Sequence, residues 1–226
     1  ACTALLFKMA KFGTSEGQSS YFETTVSGRA SDTLMATTIE IDRANADGSE
    51  NSGTLTLNAD VTAGTFTTHS QTTAQVKKKL IANVFNDESS NDFLLNIEST
   101  GTVECSSLTS STGKISNSGT ITLTGGTSML SYGSYTGSGD DTVNIAGGTI
   151  TASDVTQNGT IGNLNLTGGT TTVGYTGAAA GSSRDFKFGN VTIASSASLT
   201  AVSFLGCFTP ILFINSLNFL RYATIF

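Results

Sequence analysis

The 226-residue chain has no Trp, one Pro, one His and three Cys, and only 12% of its residues are charged. Each scarcity removes a class of explanation. Helices draw on Ala, Leu, Glu and Lys; here Ser, Thr, Asn and Gly fill most polar positions, so short strands and turns are expected instead. Lys and Arg number 11 against 17 Asp and Glu, a net charge of −6, and the basic residues cluster only at Lys77, Lys78 and Lys79. Without a basic face to release counterions, nucleic acid is not an expected partner. Cys2, Cys105 and Cys207 lie far apart with no C-x-x-C, which argues against zinc and against a redox motif. His69 sits among the threonines of "TFTTHSQTT" with no Ser or Cys at a recognisable elbow, and reads as a surface residue.

What the chain has is glycine, 25 of them, and a hydrophobic content of 38% that is regularly spaced. That spacing weighs against disorder. "ITLTGGT" at Ile121, "VNIAGGT" at Val143 and "LNLTGGT" at Leu164 share one plan: an apolar-x-apolar pair, a small or hydroxyl residue, two Gly and Thr. Weaker echoes of the apolar pair are "IEI" at Ile39, "LTL" at Leu55, "LNI" at Leu95 and "VTI" at Val191, and "NSGTLTL" at Asn51 nearly duplicates "NSGTITL" at Asn117. Repetition at roughly 20 residues marks a solenoid, whose coils cannot bury their apolar faces until a neighbour stacks on them. Period-two alternation points Ile121 and Leu123 inward and Thr120, Thr122 and Thr124 outward. The pairs Gly125–Gly126, Gly147–Gly148 and Gly168–Gly169 are expected to turn the chain between strands.

The expectation is therefore an all-β fold, a parallel β-helix or β-arch solenoid with coils of roughly 20 residues. On its "GGT" and "SGT" units, from about Leu34 to Thr200, the chain resembles extracellular β-solenoid surface proteins of the autotransporter-passenger, filamentous-adhesin or amyloid-like microbial sheath type. Residues 34–198 form the expected solenoid, with an insertion near 71–92 where charge and "LIANVF" interrupt the glycine rhythm. Residues 1–33 are expected to cap one end, because solenoid ends need covers. Residues 199–226 carry one charge, Arg221, and are expected to form a hydrophobic cap or an interface between subunits. Thr209, Pro210, Asn215, Ser216 and Asn218 break that segment too often for a membrane span.

Little in the sequence promises chemistry. "GSYTGSGDDTVNI", Gly133 to Ile145, is similar to one copy of the calcium-binding nonapeptide of repeat-in-toxin proteins, with Asp140 or Asp141 as oxygen ligands. Those sites need tandem copies, so the single copy reads as a glycine turn with two solvated aspartates. "DRANADG", Asp42 to Gly48, lacks the twelfth-position Glu of an EF-hand and is also read as a turn. No cofactor is expected apart from this calcium candidate, and no catalytic residue is assigned. Carbohydrate-cleaving β-helices bring carboxylates together in a cleft, whereas Asp140 and Asp141, as strand neighbours, point to opposite faces. Sequons at Asn158, Asn165 and Asn190 are candidate glycosylation positions, with Asn165 facing outward beside inward Leu164 and Leu166.

A chain that opens on Ala1 rather than Met fits a processed, secreted form. The expected function is an extracellular structural subunit of a surface fibre, sheath or layer, assembled from copies of itself by cross-β stacking. Cys2, Cys105 and Cys207 are candidate assembly residues, with a buried, purely packing role as the alternative for each. The rival functions are an adhesin-like passenger rod that binds a host surface or glycans, and a polysaccharide lyase or hydrolase.

Overall fold

The computed structural model describes residues 2–8, 21–42, 52–69, 72–87, 94–110, 113–152, 160–175, 186–201 and 212–219. Among them there is no helix, and every strand pairing is parallel. The longest sheet is ten strands deep: β1 (Cys2–Lys8), β3 (Thr33–Asp42), β5 (Asp60–Thr68), β7 (Lys79–Asp87), β9 (Thr102–Thr109), β11 (Thr120–Leu123), β14 (Thr142–Ile145), β16 (Thr160–Leu166), β18 (Phe186–Ile193) and β20 (Leu212–Phe219). A branch leaves the second half of β9 through β12 (Ser128–Tyr132), β15 (Gly148–Ala152), β17 (Gly169–Tyr175) and β19 (Ala197–Ala201). The third face is a separate sheet of β2 (Tyr21–Ser27), β4 (Ser52–Asn58), β6 (Thr72–Val76), β8 (Leu94–Ile97), β10 (Lys114–Asn117) and β13 (Ser134–Gly137). The chain is an all-β solenoid, as its repeats predict.

Parallel stacking places like residues in columns, and the columns are the core. Val61, Leu80, Val103, Ile121, Val143, Leu164 and Val191 lie over one another along the long sheet, and all are buried. A second column runs Ile39, Phe66, Phe85, Leu108, Leu130, Ile150 and Val173 along the branch side. The third sheet supplies Leu55, Ala74, Leu95, Ile115 and Tyr135. Each such side chain removed from water contributes about 1.5–3 kcal/mol for Val, Leu, Ile or Phe. Phe66 and Phe85 stack with ring centroids 4.9 Å apart at 24°.

Strands β3, β5, β7 and β9 turn the corner between two faces without breaking. In β5 the inward residues are Val61 and Ala63, then Phe66 and Thr68, so the alternation slips by one at Gly64 and Thr65. The same unpaired position recurs at Thr37, Asn83 and Ser106 in the neighbouring strands. One extra residue bends the strand and returns apolar side chains to the interior on the new face.

Coil length is not constant. Thr102 lies over Thr120, 18 residues on, whereas Cys2 lies over Ala36, 34 residues on. The stated insertion near 71–92 is corrected by the same pairings: β6 and β7 are rungs of the stack, with Val84 and Phe85 in register with Thr65 and Phe66. Its "LIANVF" is dense in apolar residues because it spans the bend and fills two faces. Strands β1 and β2 of the expected N-terminal cap pair with β3 and β4 as further rungs, and β20 of the hydrophobic tail pairs with β18 in the same way. No helix of the described residues is long and apolar enough to cross a membrane.

Candidate functional site

The stretch that drew the calcium expectation is the most polar place in the interior. Asp140 is exposed, as a solvated aspartate should be, but Asp141 is 0% exposed. Its carboxylate accepts from the Tyr135 hydroxyl at 2.6 Å, from the Gly139 amide at 3.0 Å and from the Gly162 amide at 3.2 Å to each oxygen. Tyr135 in turn accepts from the Asn117 side-chain amide at 2.9 Å, and the Asn117 oxygen takes the Gly119 amide at 2.9 Å. The chain of bonds thus ties three successive layers together at the corner where the third sheet feeds the long one. Burial, then the neighbouring Asp141 charge and the hydrogen bond to it, hold the Tyr135 hydroxyl firmly protonated.

This geometry overturns the reading of Asp141 as a solvated turn residue. Both of its oxygens face N–H and O–H donors, so a cation arriving there would meet hydrogens where it needs lone pairs. Among the described residues no group of three or more His, Cys, Asp or Glu side chains stands together as metal ligands. The two aspartates are not strand neighbours as expected: they lie in the bend between β13 and β14, Asp140 exposed and Asp141 buried. Tyr135 and Asn117 were missed from sequence. The available signal was the shared Asn-Ser-Gly and Gly-Asp-Asp pattern, since Asn and Asp accept from an amide two residues away in tight turns.

The cysteines divide. Cys105 lies on an inward column between Ala82 and Leu123, 1% exposed, so its expected role in linking subunits is corrected: it is a core residue. Desolvation, reinforced by the adjacent Glu104 charge, pushes its thiol from the ordinary 9.0 up to about 12. Keeping it neutral stabilises the fold fully below pH 9, and that contribution is lost as the pH climbs from 9 towards 12. Native protein at pH 8 should leave Cys105 unlabelled by a maleimide, and urea should expose it; counting modified thiols by mass spectrometry checks both. The Cys2 backbone lies on the same column, paired with Ala36, while Cys207 falls outside the described residues.

The glycine pairs do turn the chain, but not alike. Positive φ occurs at Gly125, Gly147, Gly148 and Gly169, and not at Gly126 or Gly168. Leu123 lies over Ile145, 22 residues on, yet Ser128 lies over Gly148, only 20 on. The corner between β14 and β15 is therefore two residues shorter than the one beneath it, and two shorter than the one above, where Gly148 lies under Thr171. A slip of two preserves which side chains face inward.

Outward side chains form ladders. Asn144 donates to the Thr122 hydroxyl at 3.2 Å, Asn165 donates to the Asn144 oxygen at 2.9 Å, and Asn190 donates to the Asn163 oxygen at 3.0 Å. Of the sequons, Asn165 faces outward as expected but is half-buried in its ladder, Asn190 is exposed, and Asn158 lies outside the described residues. On the third sheet Thr56, Gln75 and Glu98 are joined at 3.0 and 2.6 Å. Lys77 and Lys79, two thirds of the basic cluster, are paired with Glu98 at 3.3 Å and Glu104 at 3.1 Å. His69 sits 2.9 Å from Glu40 across neighbouring rungs.

No family model, curated protein or solved structure matches this chain. Two kinds of surface then stand out: the edge strands, each with a hydrogen-bonded neighbour on one side only among the described residues, and the flat outer faces between them.

Proposed function

We propose that the chain is an extracellular structural protein, a subunit that assembles with copies of itself into a surface fibre, sheath or layer. The observation that carries this reading is the unbroken run of parallel, in-register pairings from β1 to β20. Each rung is held by the main chain of the rung below, and an added copy would be held by the same bonds. Low charge density leaves such stacking little opposed by repulsion. A secreted location follows from this role.

Electron microscopy of the purified full-length protein tests the reading. Long ordered filaments, with the roughly 4.8 Å spacing of stacked strands in fibre diffraction, are expected. Isolated rods at every concentration would overturn it and favour a monomeric adhesin-like passenger.

A further inference from the structure

The outer face of the branch side is unlike the rest of the surface. Its outward positions hold Thr65 and Thr67 on β5, Val84 on β7, Met129 on β12, and Thr149 and Thr151 on β15, with Ser and Asn or Thr completing the rows. From β5 to β15 these positions carry no ionisable side chain. The other faces do: Asp60, Lys79 and Glu104 face outward on the long sheet, and Glu23 and Lys114 on the third. Val84 and Met129 are 38% and 43% exposed, and they stand in a single column with Ser107 between them.

We propose that this face packs against the same face of a second copy. For a molecule of net charge −6, the neutral face is the one on which two copies meet without like-charge repulsion. Its symmetry specifies the arrangement. A two-fold axis along the β9 strand at Ser107 reverses the solenoid axis and keeps positions along the strand, so Val84 of each copy meets Met129 of the other and Ser107 meets Ser107. Such an isologous contact closes on itself. Rows of hydroxyl and β-branched side chains at stacked-strand spacing then interdigitate as paired sheets do about 10 Å apart.

Five rungs span only about 20 Å along the axis. The contact is therefore smaller than the roughly 800 Å² per partner of a stable complex. Pairing of single copies is weak, and it gains strength where copies are joined end to end and the faces repeat. This inference deepens the self-assembly reading and rests on it for its purpose, but the contact itself is testable without filaments.

The test is disulfide trapping in the full chain carrying Cys2→Ser and Cys207→Ser, with oxidised glutathione as oxidant. Val84→Cys and Met129→Cys proteins, mixed, should give a covalent dimer at least tenfold more abundant than either variant alone, because in one copy the two positions lie about 10 Å apart, two rungs. Ser107→Cys should cross-link with itself. Adding Thr149→Lys and Thr65→Lys to the mixture should reduce trapping at least tenfold, whereas Thr122→Lys, on another face, should leave it unchanged. Equal cross-linking in the mixture and in each variant alone, or trapping indifferent to the face lysines, would overturn the proposal. Circular dichroism of each variant confirms the fold. Trapped pairs from a protein that forms no filaments would sink the scaffold reading and keep this one.

Discussion

Replacing Asp141 with Ala should lower the unfolding free energy by at least about 2 kcal/mol, since each buried donor left unsatisfied costs about 1–3 kcal/mol. Two buried donors lose their acceptor at once, the Tyr135 hydroxyl and the amide of Gly162, while the amide of the exposed Gly139 turns to water. Set against a total of about 5–15 kcal/mol for a folded domain, the loss is large. Tyr135→Phe removes two of the bonds but leaves both amides satisfied, so it should cost less, about 1–2 kcal/mol. Urea denaturation followed by circular dichroism measures both, and the double variant gives their coupling. A change below about 1 kcal/mol for Asp141→Ala would mean that the corner relaxes and finds other acceptors.

The second large effect separates glycines that look identical in the sequence. At Gly148 φ is +125°, and an added Cβ would lie 1.9 Å from the carbonyl oxygen of Ser128 on the adjacent rung. Alanine there combines a sparsely populated backbone conformation, about 1–3 kcal/mol, with the overpacking of a tight contact, about 1–3 kcal/mol. Gly148→Ala should therefore destabilise by about 4 kcal/mol, the sum of those two contributions. Gly126, second of its own pair, has no heavy atom within 4 Å of the added Cβ and no positive φ, and Gly168 meets only the Ser196 hydroxyl at 3.7 Å. Alanine at either position should change stability by about 0.5 kcal/mol or less. Thermal unfolding of the three variants side by side decides the matter, and equal losses would show that the corners are interchangeable.

Those corners mark where the sequence stops being readable. Ile121, Val143 and Leu164, which the repeat sets in line, do share one column, because an inward position tolerates only apolar residues and the strand period fixes the rest. Of the weaker echoes only "VTI" at Val191 joins that column, and the other three went to other faces. "LTL" at Leu55 and "LNI" at Leu95 belong to the third sheet, and "IEI" at Ile39 to the far side of a bend. "NSGTLTL" lies almost wholly within β4, whereas "NSGTITL" straddles the turn between β10 and β11. Every face of a solenoid asks for the same alternation, so a motif alone does not say which face it occupies. Strands β6 and β7 read as an insertion because of their charge, although the inward residues Ala74, Val76, Leu80 and Ala82 keep the period. The burial of Asp141 was not legible, because its partners are scattered in sequence: Tyr135 is six residues away, Asn117 and Gly162 lie more than twenty away on neighbouring rungs, and only stacking brings them together.

The hydrogen bonds that join the rungs all run along the axis of the rod. Tension applied between its two ends would load them one layer at a time, so the rod should peel rung by rung at modest force. Force applied across the axis would instead have to shear whole strands past one another.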